Sequence, residues 1–110
     1  MKVIVYHRDN FDPREESGFS RVAIVDAPTE DTEEALEYAF RWTNNINGSW
    51  SLGSLIDNNP DSNDNVCFVG EYRISKDGRR LGARSTSVRD VMYTPDGKYE
   101  VAGFGFDKVA

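Results

Sequence analysis

Apolar and polar positions alternate from Lys2 to His7, with Val3 and Val5 on one side and Ile4 and Tyr6 on the other. A period of two in β-branched residues predicts a strand. Residues 8–18 collect Asp, Asn, Pro, Glu, Ser and Gly without any period, so they read as a loop leading to a second strand over Ser20 to Asp26. The two are expected to pair as an antiparallel hairpin with a wide loop. The period then lengthens. Leu36, Ala39, Phe40 and Thr43 fall at i, i+3, i+4 and i+7, the stripe of a helix lying on a sheet, with Glu33, Glu37 and Arg41 on the wet side. Thr29 or Asp31 can cap its free N–H groups, and the acids of the first turn suit the positive end of the helix dipole. Asn44, Asn45 and Gly48 supply the stop, giving a helix over Thr32 to Asn44.

From Ser49 to Asn65 the pattern dissolves into Ser, Gly, Asn and Asp, with Trp50, Leu52, Leu55 and Ile56 interspersed, which predicts a long loop held by a few apolar anchors. Val66 to Ile74 reads as strand with a bend at Gly70, and Asp77-Gly78 closes the next turn. Arg84 to Val88 is expected to be extended or a short turn. Val91 to Tyr93 and Tyr99 to Phe104 flank Thr94-Pro95-Asp96-Gly97-Lys98, a hairpin signal, and Gly103 and Gly105 suggest a strand that kinks or approaches another backbone. These elements predict an α+β fold: an antiparallel sheet of about five strands, in the order β-β-α-β-β-β, with one main helix packed on one face. Splitting 110 residues would leave pieces too small to bury a core, so residues 1–110 are expected to form a single domain.

Composition narrows the setting. A charged fraction of 29% and a mean hydropathy of −0.61 describe a wet surface. No apolar run approaches the roughly 18 residues a membrane span needs. His7, Arg8 and Asp9 interrupt the first apolar stretch too early for a signal peptide, so a cytoplasmic location is expected. Cys67 is the only cysteine, which excludes a disulfide within the chain; its place in Val66-Cys67-Phe68-Val69 suggests a packed, inert thiol in a reducing compartment. The net charge of −6 is uneven: residues 1–65 carry 5 basic and 13 acidic side chains, residues 66–110 carry 8 and 6, and the molecule is expected to be dipolar.

Little of this nominates chemistry. His7 is the single histidine and no serine or cysteine shows a nucleophile signature beside it, so it reads as an ordinary strand-end residue. Asp57, Asn59 and Asp61 alternate as in a calcium loop, but Ser62 stands where the turn glycine belongs and Phe68 where the bidentate Glu belongs. No catalytic residue, metal site or cofactor is nominated. Asn47-Gly48-Ser49 matches a glycosylation sequon, which has no role in a cytoplasmic protein. Two binding surfaces compete. Phe40, Trp42 and Trp50 cannot all point to one side of the helix, so one indole is expected to close the core and the other to stay partly exposed as an anchor, with Trp50, Trp42 and Asn47 meeting a protein partner. Alternatively Arg79, Arg80 and Arg84, within a run extending from Arg73 to Arg89 and bracketed by Tyr72 and Tyr93, could face phosphate, although a pI near 4.7 works against it. The acids of the helix could also imitate a phosphate backbone.

Two segments carry a resemblance. Phe40-Arg41-Trp42-Thr43-Asn44-Asn45-Ile46-Asn47-Gly48-Ser49-Trp50-Ser51 is similar to a stretch of small uncharacterised proteins of actinobacterial phages and mobile elements. Arg84-Ser85-Thr86-Ser87-Val88-Arg89-Asp90-Val91, with Asp96-Gly97-Lys98-Tyr99 and Gly103-Phe104-Gly105-Phe106, resembles the serine-rich turn, hairpin and Gly-Phe ending of YodL-like domains. The resemblance implies a small accessory protein of a phage, prophage or plasmid working inside a bacterial cell, and implies no catalytic residue; a host or phage protein is the expected partner. From the residues themselves, Ser85, Thr86 or Ser87 can cap a turn and Asp90 can accept nearby backbone N–H groups.

Overall fold

The computed structural model describes residues 1–9 and 18–109; the expected 8–18 loop lies largely outside them. Strand β1 (Lys2–Arg8) pairs antiparallel with β2 (Phe19–Asp26), as its alternation predicts. A helix, α1 (Thr32–Trp42), and a long connection containing one 3₁₀ turn (Gly53–Leu55) lead to β3 (Val66–Phe68). Strands β4 (Arg73–Ile74), β5 (Arg80–Leu81), β6 (Val91–Thr94), β7 (Gly97–Val101) and β8 (Phe106–Lys108) complete the described chain. The main sheet runs β3-β2-β1-β6-β7-β8, antiparallel at every pairing, while β4 and β5 form a separate two-stranded arm.

The α+β class and the single main helix agree with expectation, but the main sheet has six strands rather than about five. One local break adds the sixth strand and a second sets the arm apart. Tyr99 to Phe104 does not run on as one strand: the chain turns through Ala102–Gly105, with Ala102 N–H donating to the Gly105 carbonyl at 3.0 Å and Gly105 at φ 69°, and returns as β8. A positive φ of that size is cheap only for glycine. Nor is Val66 to Ile74 one bent strand. The Phe68 ring packs against Gly70 so closely that a Cβ there would lie 3.0 Å from it, and beyond Gly70 the chain leaves the main sheet for the arm.

Helix α1 starts at Asp31, whose carboxylate accepts from Glu34 N–H at 2.9 Å, and Thr29 donates to the Glu34 carboxylate. Ala35, Leu36 and Ala39 are buried on Val3, Val5, Val25 and Met92, the core of the molecule. Register places Val3, Val5 and His7 of β1 on the helix side and Ile4, Tyr6 and Arg8 on the other. Arg41 does not stay on the wet side as expected; it turns to Asp61, Nη2 to Oδ1 3.3 Å, with its guanidinium 4.0 Å above the Trp42 ring. Cys67 is also corrected. It is exposed on β3, because its neighbours Val66 and Phe68 take the helix side and alternation turns the thiol outward. No helix among the described residues is long and apolar enough to cross a membrane.

Candidate functional site

The 85–90 turn is the junction of the molecule. Asp90 is 1% exposed and accepts four hydrogen bonds: from Arg8 N–H at 2.8 Å, from Ser87 N–H at 2.8 Å, and from the Arg84 guanidinium at 2.6 and 2.8 Å. Arg84 also donates to the Arg8 and Ser85 carbonyls. The aspartate thus joins the end of β1 to the start of β6. Burial works to raise its pKa, but the Arg84 guanidinium and the two backbone N–H groups prevail and hold the carboxyl below the ordinary carboxylate range.

Beside it runs a chain of hydroxyls whose direction is determined. Thr43 Oγ1 donates to the Ala39 carbonyl at 2.7 Å, so it can only accept from Thr86 Oγ1, 2.8 Å away. The Thr86 proton is then spent, and its oxygen must accept from His7 Nε2 at 2.8 Å. His7 is therefore the neutral Nε2–H tautomer, with Nδ1 as its free acceptor. Burial, opposed by Asp90 and aided by Arg84, pushes its pKa down from 6.5 to about 4. An unfolded histidine takes up its proton near 6.5 and the folded one only near 4, so between those values the unfolded state binds more protons. His7's contribution to stability is complete above the upper value, falls as pH drops towards the lower, and levels off below it. The fall is expected to be about 3 kcal/mol in urea unfolding, and a His7→Gln variant, which keeps a donor for Thr86, should lose that limb of the profile.

The 44–65 connection is held by polar bonds as well as by one apolar anchor, Trp50. Asp61, buried, gathers the N–H groups of Ile46, Asn47 and Gly48 at 2.8, 2.9 and 2.7 Å. Although burial opposes it, those donors and Arg41 hold its carboxyl below the usual range, so the oxygen that resembled a calcium ligand is committed to backbone. Asn59 donates to the Ser49 and Gly53 carbonyls at 2.6 and 2.9 Å. Leu55 and Ile56, expected anchors, are exposed.

Trp50, expected to anchor a partner, is 3% exposed. Its ring meets Phe68 and His7 edge-on at 5.5 and 6.1 Å, and Nε1 donates to the Arg84 carbonyl at 2.9 Å. The indole closes the core under the loop because its N–H finds a carbonyl there. Trp42 is half-buried against Tyr38 and Arg41, and only Asn47 of the three is fully at the surface, its N–H turned to Asp61. The basic segment also divides. Arg84 is bound to Asp90 and cannot face phosphate without opening the junction. Arg79 is exposed beside Asp77 at 3.0 Å, Arg80 lies 5.5 Å over the Tyr72 ring, and Tyr72 itself donates to the Ser51 carbonyl. Arg89 is exposed at φ 76°, a left-handed conformation, as the chain enters β6.

What the sequence reading missed is the uncovered face of the sheet. The side away from α1 is closed at Val91, which lies opposite Tyr6 and is buried, and open around Phe19, Cys67 and Tyr93, which are exposed. Register assembles Ile4 and Tyr6 from β1, Ile24 from β2, Cys67 from β3 and Tyr93 from β6 there. Phe19 and Tyr93 are 42% and 39% exposed, the Tyr6 and Tyr93 rings pack edge-on at 5.4 Å, and the Lys98 ammonium stands 6.0 and 5.9 Å from the Phe19 and Tyr93 rings. The alternation of β1 carried the signal, since Ile4 and Tyr6 are apolar where a solvated face would be polar.

No protein-family model matches the chain, and comparison with curated proteins and with solved structures gives no match.

Proposed function

We propose that this chain is a binding module, an accessory protein of a phage or mobile element, which takes a protein partner on the uncovered face of its sheet. One observation carries the reading. A one-sided antiparallel sheet normally presents polar residues to water, and here Ile4, Tyr6, Phe19, Ile24, Cys67 and Tyr93 stand together instead. The aromatic rings supply area at low conformational cost, and Arg8, Arg21 and Lys98 on the same face favour a partner with acidic groups around an apolar patch. The Trp50 surface is withdrawn from this role by its burial.

Cys67 provides the assay, because its thiol is exposed on this face. Partner captured from nuclease-treated host lysate is expected to protect Cys67 from alkylation, and Tyr93→Asp, a change at an exposed position, is expected to abolish both capture and protection. Capture that survives Tyr93→Asp with Cys67 still reactive would move the interface elsewhere. A second reading, nucleic acid on the arm, draws on the exposure of Arg73, Arg79 and Arg80. In the same assay without nuclease it would give recovery of nucleic acid at low salt only, lost when those three arginines are neutralised.

A further inference from the structure

One helix cannot cover six strands. A helix is about 10 Å across and strands lie about 4.8 Å apart, so α1 spans two or three of them. The connection bearing Trp50 closes the β2–β3 side, where Trp50 packs on Phe68. The β7–β8 side stays open as two adjoining depressions of about 270 and 300 Å³ that share Phe106. Leu36, Phe40, Val101 and Phe106 line them, Phe40 and Phe106 meeting edge-on at 6.1 Å, and Glu33 and Glu37 stand on the helix rim.

At the end of this groove, on the Ala102–Gly105 turn, Phe104 is 99% exposed. It is a phenylalanine with no cover, next to an open groove in which Phe40 and Phe106 stand beside Glu33, Glu37 and Thr32, at the β8 edge of the sheet, which has no further strand among the described residues. We infer that the chain forms a two-fold symmetric dimer through this edge, each Phe104 seated in the groove between α1 and β8 of the other copy.

A two-fold contact suits a surface that carries both halves of a complementary pair side by side, since one rotation satisfies both at once. Charge agrees. Lys108 lies opposite Tyr99 in the register and so belongs to the groove's side of the sheet, across from Glu33 and Glu37. Antiparallel approach of two such edges sets Lys108 of one copy towards Glu37 of the other. The surface is distinct from the uncovered face proposed above, and neither depends on the other.

Sedimentation velocity on the purified chain tests this. The wild type is expected to dimerise reversibly in the micromolar range, and Phe104→Asp to weaken the dimer by roughly thirtyfold or more, as loss of a central anchor does. Its thermal melt at concentrations where the wild type is monomeric should be unchanged, because the side chain touches solvent alone. Glu37→Lys and Lys108→Glu should each weaken the dimer, and the two together restore it. A wild type that stays monomeric, a dimer indifferent to Phe104→Asp, or a double variant no tighter than the single ones overturns the inference.

Discussion

Replacing Asp90 by alanine is expected to destabilise the protein by about 3–5 kcal/mol, the range for removing one partner of a buried ion pair. The carboxylate does two things that a methyl group cannot. It satisfies the Arg8 and Ser87 N–H groups, and it neutralises the Arg84 guanidinium, which keeps only 27% of its side-chain surface in solvent. Without it, β1 and β6 lose the side chain that ties their ends together. Urea unfolding at neutral pH measures the effect. Asp90→Asn, which retains an acceptor but loses the charge, should fall between alanine and wild type. The same interactions add acid sensitivity to that of His7. A carboxylate whose folded pKa is depressed contributes stability that is present above its unfolded value of 3.8 and is lost as pH falls through the folded one. In Asp90→Ala that lowest limb of the profile should shrink.

Trp50→Ala is expected to cost a comparable 3–5 kcal/mol, about what large aromatic truncations in cores cost, because the indole fills the space between Phe68, His7 and the Arg84 carbonyl. Natural domains of this size hold about 5–15 kcal/mol in total. The variant should therefore show a strongly lowered urea midpoint, and any partner lost with it would be lost through unfolding. Tyr93→Asp, at a half-exposed ring on the sheet's open face, should separate the two effects by leaving the midpoint within about 1 kcal/mol of wild type. A Trp50→Ala protein as stable as wild type would show that the ring does not close the core.

Which of the two indoles closes the core, and the pairing of Arg84, have one physical origin. An indole in a Ser/Asn-rich stretch and an arginine in a basic run both look solvent-directed, since sequence shows their neighbours along the chain and not across space. Burial of Trp50 required a carbonyl for its N–H, and Arg84 supplies it from 34 residues away. Arg84 in turn needed a desolvated carboxylate, which the turn at Asp90 brings back to it. The capping of the 85–90 turn by Asp90, by contrast, was legible, because the donor and acceptor lie three residues apart.

Local order therefore followed from the chain itself. Period-two alternation made β1 and its hairpin partner, the i, i+3, i+4 stripe and the acids before it made α1, and Pro95-Asp96-Gly97 made the β6–β7 turn, since each depends on interactions within a few residues. Strand number, the separate arm, the tautomer of His7 and the open face of the sheet were decided by tertiary structure. Gly70 redirects the chain because the Phe68 ring packs against it, hydroxyls orient by a network spanning β1, α1 and the 85–90 turn, and which side of the sheet stays open among the described residues depends on the side the helix takes.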